Sequence, residues 1–282
     1  MIYVTGDTHG EYGRFMWIDR KLQTGDILII CGDAGLLFKD DFNEHKRLDE
    51  METKPYTILF VDGNHENFDA IYSYPQEIWN GGKVHRIRKN VLHLCRGQVF
   101  DIEGKKFFTF GGGYSIDKPM RIEGRSWWQQ EMPTDEELQE GNRNLEKAGY
   151  KVDYIITHTL PIKTVATVHR DHGHKEGYLN NYLEYVAENT EYKHWYAGHF
   201  HMDRDLHRNI SVLWFDMREL DDDDFDYEHF DAEEFFYKIF LNSDNEYEDI
   251  CDKLNKVLVT EENYISMRKT IIETADIQID KK

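Results

Sequence analysis

The sequence of 282 residues predicts an α/β (α+β) fold with a C-terminal helical extension. In this fold, two mixed β-sheets pack as a sandwich and are flanked by helices in a four-layer αββα arrangement. Short apolar runs rich in β-branched and aromatic residues alternate with helix-like segments in both halves of the chain. Closely spaced strand-like runs between residues 83 and 111 form a meander that joins the halves. Amphipathic segments near the end of the chain predict the helical extension.

The first half of the chain predicts three strands separated by helices. The strand-like runs IYVTG, ILIIC and YTILFVD begin at residues 2, 27 and 56. Helices are expected near residues 11–21 and 41–52, and a short helix is expected over residues 67–71.

The middle of the chain predicts a meander followed by a helix. The strand-like runs are VHRI, VLHLC, QVFDIEG and KKFFTFGGG, and Gly97 and Gly104 between them predict hairpin turns. Residues 133–148 predict a solvated helix, because Thr134 is a good N-cap and acidic residues follow it. The run Leu213-Trp214-Phe215 predicts the last strand of the core.

Charge divides the chain into a larger domain, residues 1–216, and an acidic extension, residues 217–282. The formal net charge is −20, and residues 219–250 hold 14 acidic residues against one basic residue. This balance disfavours long duplex nucleic acid, which requires many Lys and Arg contacts to phosphates. Two amphipathic helices are predicted over residues 230–241 and 247–258. Their apolar faces require the larger domain, a second copy of the chain or another protein as a partner.

Five short polar motifs, each directly after a strand-like run, predict a metal site. Carboxylate, amide and imidazole groups held at strand ends are suited to bind metal ions. Taken singly, Asp-x-His and Gly-Asp are also common in turns. In Gly-His-x-His, alternate residues of an extended segment would point to one face and reach one cluster. The motifs are Asp7-Thr8-His9, Gly32-Asp33, Gly63-Asn64-His65-Glu66, Thr157-His158 and Gly198-His199-Phe200-His201.

The five motifs in this order resemble those of the calcineurin-like metallophosphoesterase family, over residues 1–216. The resemblance implies that these residues form a catalytic domain with two divalent metal ions. His65 is similar to the family's catalytic histidine, which faces the scissile phosphate. The implied ligands are Asp7, His9 and His201 for the first ion, Asn64, His158 and His199 for the second, and Asp33 as the bridge between them.

The implied activity is hydrolysis of a phosphate ester. Two ions about 3.5–4 Å apart clamp the attacking and leaving oxygens and acidify a water molecule. His65 could donate a proton to the leaving oxygen or stabilise charge on the phosphate. We expect Mn²⁺ from the resemblance, and Fe, Zn, Ni, Co and Mg are the alternatives, because mixed oxygen and nitrogen ligands suit several divalent metals.

Two motifs depart from the protein Ser/Thr phosphatase branch of the family. The stretch GDAGLLF that begins at Gly32 lacks the second Asp and the Arg of that branch, and Asp62 stands where Arg is usual. The Gly-His-x-His ending is more similar to the phosphodiesterase-type branch, so a phosphodiester is the favoured substrate. The alternatives are a phosphomonoesterase or protein phosphatase, and a catalytically silent binding module. Asp62 or Glu66 could orient His65, although either could instead be a turn or capping residue.

A second group of residues is considered for the substrate site. Residues 111–130 are a candidate loop over the metals, with Arg121 or an aromatic residue of the loop as a substrate contact. The alternative is a surface loop in which Arg121 pairs with acids such as Asp117. His169, His172 and His174 could face solvent, line the substrate site or hold a third metal.

The remaining features concern compartment and partners. Cys31, Cys95 and Cys251 show no metal-type spacing, and the other histidines, among them His85, His93 and His194, are expected to be structural. Neither a signal peptide nor an apolar stretch of about 18 residues is visible, so we expect a cytoplasmic protein without membrane contact. The expected substrates are small phosphoesters, nucleotides or short oligonucleotides.

Overall fold

Two mixed sheets dominate the computed structural model, which describes residues 1–168 and 176–220. The first sheet has the strand order β13-β1-β2-β3-β6-β5-β4, and the second has the order β11-β12-β10-β9-β8-β7. The strands are β1 (Ile2–Thr5), β2 (Ile27–Ile30), β3 (Thr57–Phe60), β4 (Gln76–Trp79), β5 (Gly82–Arg88), β6 (Val91–Leu94), β7 (Gln98–Ile102), β8 (Lys105–Phe110), β9 (Tyr154–Thr157), β10 (His194–Ala197), β11 (Arg204–Leu206), β12 (Ile210–Val212) and β13 (Met217–Glu219).

The centre of each sheet is parallel, and the edges are antiparallel. Strands β1, β2, β3 and β6 pair in parallel in the first sheet, and β8, β9, β10 and β12 do so in the second. Parallel strands are usually covered on both faces, which explains why ILII of β2 and YIIT of β9 are largely apolar and buried throughout. All these parallel strands therefore end at a common edge of their own sheet.

The main core lies between the two sheets. Side chains alternate along each strand, so Tyr154 and Ile156 of β9 face this core and Ile155 between them faces the opposite side. Phe100 and Phe107 add aromatic bulk from β7 and β8. The second sheet thus contributes to two apolar layers, one on each of its faces.

Helices flank the sheets, and polar residues define where several of them begin. Asp41 caps one helix by accepting from the backbone N–H of Asn43 and Glu44, and Thr134 and Glu137 form a capping box at another. Leu145, Leu179 and Val186 pack against the outer layer of the second sheet. The helices are α1 (Tyr12–Lys21), α2 (Phe42–Glu52), α3 (Phe68–Ser73), α4 (Asp135–Lys147), α5 (Ile162–Val168) and α6 (Gly177–Asn189).

The chain divides into two compact units. The first contains Met1–Thr8 and Leu22–Phe230 and includes both sheets. The described part of the second unit is His9–Lys21, which consists of a short turn and helix α1. In the described part of the chain, no helix is long and apolar enough to cross a membrane.

Most predicted elements are confirmed, and two predictions are wrong. Gly97 is not in a hairpin, because β6 belongs to the first sheet and β7 to the second, so the chain crosses between sheets there. The last core strand is not 213–215: β12 ends at Val212, and β13 pairs with β1 beyond the predicted boundary at residue 216. The predicted helices over 230–241 and 247–258, and His169, His172 and His174, lie outside the described residues.

Candidate metal centre

Four of the five polar motifs lie at strand ends within the first compact unit. Asp33 and Asn64 follow β2 and β3 of the first sheet, and His158 and His199 follow β9 and β10 of the second. Asp7 follows β1 and belongs to the same unit. His158 of the second sheet contacts Asp33 and Asn64 of the first, so the site lies where the two parallel strand edges meet.

Asp7, Asp33 and His158 form a buried cluster whose ligand atoms all lie within 4.8 Å of one another. His158 Nε2 is 3.5 Å from Asp33 Oδ1, and His158 Nδ1 is 3.9 Å from Asp7 Oδ1. Two carboxylates brought together in a buried place are costly unless cations compensate their charge. This donor set therefore fits divalent metal ions.

The hydrogen bonds of His158 prepare one ring nitrogen to bind a cation. Its Nδ1 donates to the Cys31 carbonyl at 2.8 Å, a bond that fixes the tautomer in the manner of metal-binding histidines. Its Nε2 then faces Asn64 Oδ1 at 3.1 Å, while the Asn64 amide N–H donates to Ser115 Oγ at 3.2 Å. Nε2, Asn64 Oδ1 and Asp33 Oδ1 thus converge with their lone pairs, as they would around a metal ion.

His199 and His201 both contact Asp7, but not through an extended segment. The His199 backbone N–H donates to both Asp7 carboxylate oxygens at 2.9 and 3.1 Å, and His201 Nε2 is 3.2 Å from Asp7 Oδ2. Both histidines have positive φ angles, 71° and 47°, and Phe200 N–H donates to the Gly198 carbonyl. The expectation of alternating extended residues is therefore wrong, and a tight turn brings the two histidines to Asp7.

The same left-handed backbone recurs at other predicted ligands. His9 has φ 47° and Asp33 has φ 46°, values that residues other than glycine seldom adopt. Such conformations cost about 1–3 kcal/mol each and concentrate at functional sites. The strained backbone is a second observation, independent of the donor types, that marks these positions.

Two glycines of the motifs are required by close approach. A Cβ at Gly63 would lie 2.0 Å from Asp33 Oδ1, and a Cβ at Gly198 would lie 2.1 Å from Asp7 Oδ1. Any side chain at either position would displace a carboxylate of the cluster. The Gly in Gly-Asn and in Gly-His-x-His is therefore explained by the packing of the metal site.

The charge state of Asp7 suits a ligand. Burial alone would raise the pKa of Asp7, but the hydrogen bond from His201 and the electrostatic interaction with His158 outweigh burial and lower that pKa. Asp7 is therefore a carboxylate. His9, two residues farther along the chain, belongs to the second compact unit, and its role as a ligand stays a prediction.

His65 contacts Arg121, so the structure brings together the predicted catalytic histidine and the predicted substrate contact. The Arg121 guanidinium nitrogens lie 3.3 and 3.1 Å from His65 Nδ1 and Nε2. Arg121 is held by Asp117 Oδ2 at 2.7 Å and by the Ser126 carbonyl at 3.1 Å. Arg121 thus pairs with Asp117, as expected of a surface loop, and at the same time lies against His65, as expected of a substrate contact.

Asp62 and Glu66, the candidates for orienting His65, form other bonds. Asp62 is buried and accepts from His93 Nε2 at 3.1 Å and from Arg96 at 2.5 and 2.9 Å. Glu66 Oε1 accepts from the Ala34 backbone N–H at 2.7 Å. The His65 backbone N–H donates to Asp33 Oδ1 at 2.7 Å, which ties this histidine to the metal cluster.

Glu176 is a site residue that sequence reasoning missed. Its Oε1 lies 2.8 Å from His199 Nε2 and accepts from the Tyr114 backbone N–H at 2.6 Å, and its Oε2 accepts from the Thr159 hydroxyl. Burial would raise the pKa of Glu176, but His199 and the hydrogen bonds lower it to about 2. A carboxylate on one ring nitrogen orients a histidine toward a metal at the other. Glu176 follows no strand-like run, so nothing in the sequence pattern marked it.

Comparison with known proteins agrees with this geometry. No curated protein matches the chain significantly. The family model described as calcineurin-like phosphoesterase matches residues 1–203, which include all five motifs. Since this match spans well over half of the chain, and the two mixed sheets with flanking helices are typical of that fold, the protein belongs to the calcineurin-like phosphoesterase family.

Proposed function

We propose that the protein hydrolyses a phosphodiester with the help of two divalent metal ions. The observation that carries the proposal is the convergence of Asp7, Asp33, Asn64 and His158, with Nε2 of His158 facing two oxygen atoms. A dinuclear centre supplies positive charge for the phosphate and lowers the pKa of water toward neutrality. Family membership supports metal-dependent phosphoesterase activity, and the preference for diesters is the finer part of the proposal.

The chain's own residues divide the work of holding the ions. Asp33 would bridge them, because its buried carboxylate lies 3.5 Å from His158 Nε2 at the end of β2. One ion would be held by Asp7, His9 and His201, and the other by Asn64, His158 and His199. Glu176 and the Cys31 carbonyl hold His199 and His158 in the tautomers that ligation requires.

His65 and Arg121 act on the substrate. A phosphate oxygen that approaches His65 also comes within reach of the Arg121 guanidinium, because the two groups lie 3.1–3.3 Å apart. His65 donates a proton toward the leaving oxygen, and Arg121 stabilises negative charge on the phosphate. Neither residue is needed to hold the ions.

Arg121 is the one arginine proposed to contact the substrate among the described residues, and this favours a diester over a monoester. A diester carries one negative charge and a monoester carries up to two, so a monoester demands more positive charge from the site. Position 62, where protein phosphatases usually carry Arg, is an Asp whose carboxylate is occupied by Arg96 and His93. The second candidate function is a phosphomonoesterase or protein phosphatase, and the third is a silent binding module of the same fold.

The test compares bis-p-nitrophenyl phosphate with p-nitrophenyl phosphate, using protein stripped of metal and reloaded with Mn²⁺. We expect diesterase activity at least comparable with monoesterase activity, and no activity before reloading. A clear monoester preference together with turnover of phosphopeptides would establish the second candidate. Metal uptake without turnover of either ester would establish the binding module.

The native metal and the setting are further parts of the proposal. We expect Mn²⁺, with Fe, Zn, Ni, Co and Mg as alternatives, and elemental analysis of protein purified without added metal decides among them. Less than one equivalent of any transition metal, with no activation by Mn²⁺, would contradict the scheme.

The proposed setting is the cytoplasm, and the proposed substrates are small phosphoesters, nucleotides or short oligonucleotides. The proposed role of the acidic extension beyond β13 is contact with the catalytic domain, a second copy or a protein partner.

A further inference from the structure

A second cluster of metal-binding side chains lies on the β5–β6 ladder, apart from the residues of the proposed dinuclear centre. His85 of β5 and His93 of β6 are directly opposite partners in this antiparallel pair. Cys95 is two residues beyond His93, and its backbone N–H continues the ladder by donating to the Lys83 carbonyl. Opposite residues share one face of a sheet, and so do residues two apart on one strand. The ladder therefore presents two imidazoles and a thiol side by side.

The distances in this cluster match the edges of a metal coordination shell. His85 Nδ1 is 3.0 Å from His93 Nδ1 and 3.6 Å from Cys95 Sγ, and the three ligand atoms all lie within 4.8 Å of one another. A tetrahedral zinc ion, with bonds of about 2.0–2.1 Å to nitrogen and 2.3 Å to sulfur, separates two nitrogens by about 3.3 Å and nitrogen from sulfur by about 3.6 Å. The two measured separations from His85 Nδ1 therefore lie within a few tenths of an ångström of the tetrahedral values.

The surroundings of the cluster are those of a built site. His85, His93 and Cys95 are only 4 %, 1 % and 8 % exposed. His93 Nε2 donates to the buried carboxylate of Asp62, which leaves His93 Nδ1 as a lone-pair donor facing the cluster. This carboxylate–histidine arrangement is the usual outer shell of a zinc ligand. The Gln76 amide N–H points at Cys95 Sγ from 3.8 Å, as it would toward a thiolate.

A cavity of about 540 Å³ adjoins the cluster, and all three side chains line it. Tyr72, Gln76 and Arg96 line other parts of its wall. Three protein ligands with a fourth direction toward a cavity are typical of a zinc ion that keeps an exchangeable position. A buried pair of histidines that only hydrogen-bond each other would require neither the thiol nor the cavity.

We propose that His85, His93 and Cys95 bind one thiophilic divalent ion of the Zn²⁺ class, separate from the proposed dinuclear centre. Two imidazoles and a thiolate select zinc over Mn²⁺ or Mg²⁺, which prefer oxygen ligands. On binding, the Cys95 thiol releases its proton to solvent and forms the metal–sulfur bond, and no electron is transferred. His85 shifts its proton from Nδ1 to Nε2, so that both histidines ligate through Nδ1.

The test uses Co²⁺ as a spectroscopic probe in the metal-free full-length chain. A thiolate ligand gives a sulfur-to-cobalt charge-transfer band in the near ultraviolet, and the carboxylate, amide and imidazole ligands proposed for the dinuclear centre give none. We expect the band in the native chain and in Cys31→Ala, the matched control with another buried thiol, and its loss in Cys95→Ala. The band's absence from the native chain, or its persistence in Cys95→Ala, would overturn the proposal.

Two further measurements test the site without using phosphoesterase activity, and the second of them requires no variant. After loading with Zn²⁺ and removal of excess, Cys95→Ala should hold one ion fewer than the native chain, and equal contents would contradict the site. X-ray absorption of the native zinc-loaded chain requires no variant. It should show sulfur in the zinc shell, and a shell of oxygen and nitrogen alone would exclude the site even if Cys95→Ala failed to fold.

Discussion

His65 and Asp33 are neighbours, because the His65 backbone N–H donates to Asp33 Oδ1 at 2.7 Å. Their proposed roles nevertheless differ. In the proposed mechanism His65 acts on the substrate alone, so His65→Ala should keep near-native metal content and lose roughly 10²–10⁴ in turnover, the range for removal of a proton donor or charge stabiliser. The loss should shrink for esters with very good leaving groups. Elemental analysis and steady-state kinetics measure both effects. Stripping of metal by this substitution would show that the role is wrong.

Asp33→Asn is the variant to compare with His65→Ala, because it alters the proposed bridge between the two metal ions. An amide can still accept the His65 N–H, but it removes the negative charge that a bridge between two dications requires. We expect this variant to lose at least one of the two ions together with its activity. Full metal content in Asp33→Asn, measured after the same purification, would argue against a bridging role.

Arg121 provides a prediction for substrate binding. Its guanidinium reaches both ring nitrogens of His65, and a hydrogen bond to a charged group contributes about 1.5–3 kcal/mol. Arg121→Ala should therefore lower kcat/KM for a phosphodiester by roughly 10–100-fold and leave metal content unchanged. Arg125, an exposed arginine four residues away, is the control, and Arg125→Ala should have little effect. Similar kinetics for the two variants would place Arg121 outside the site.

At the scale of the elements, β10 and β12 carry a partly buried polar network that makes stability depend on pH. His194 of β10 donates to Ser211 Oγ of β12 at 2.7 Å, and that hydroxyl donates to Asp205. Burial, together with the charge of Arg218, lowers the pKa of His194 from 6.5 to about 4. Between these values the unfolded chain binds a proton that the folded chain does not. The contribution of neutral His194 to the free energy of unfolding is therefore complete above pH 6.5 and is lost as the pH falls toward 4.

The slope of stability against pH tests this network. For one group, the free energy of unfolding falls by at most about 1.4 kcal/mol per pH unit in that window. His194→Gln keeps an N–H donor and does not titrate, so its stability should fall less steeply than that of the native chain between pH 6.5 and 4. Denaturant unfolding at several pH values measures both slopes. Other titrating groups contribute equally to the two proteins, so the difference between the slopes reports on His194. Equal slopes would mean that His194 titrates alike in both states.

At the scale of the whole first unit, the proposed metal ions would connect the two sheets. Asp33 and Asn64 follow strands of the first sheet, whereas His158 and His199 follow strands of the second. Metal removal should therefore lower Tm, because it leaves buried carboxylates near one another and removes bonds that join the sheets. An ion at 100 times its Kd adds about 2.7 kcal/mol to the free energy of unfolding.

Differential scanning calorimetry with chelator and then with Mn²⁺ measures this effect. We expect a reversible rise in Tm on reloading and a smaller rise in Asp33→Asn, which lacks the bridge. A native Tm that responds to neither treatment would count against metal bound between the sheets.

The sequence by itself determined the strands that carry the site and the residue types at their ends. Buried parallel strands such as ILII and YIIT are short apolar runs, and their pattern depends only on local residue order. Asp33, Asn64 and His158 could be predicted because a side chain just past a parallel strand must lie at the sheet edge. The exact turn was beyond this reasoning, since His199 and His201 adopt left-handed backbone that their residue types do not announce.

Only the tertiary structure decided which distant residues meet. Gly97 looked like a hairpin glycine, yet the chain passes there from one sheet to the other. The pairing of Arg121 with His65, and of Glu176 with His199, joins residues without a shared local pattern. Likewise, strand pairing sets His85 opposite His93. Contacts of this kind depend on sheet order and loop path, which are set by the packing of the whole domain and not by the residues adjacent in sequence.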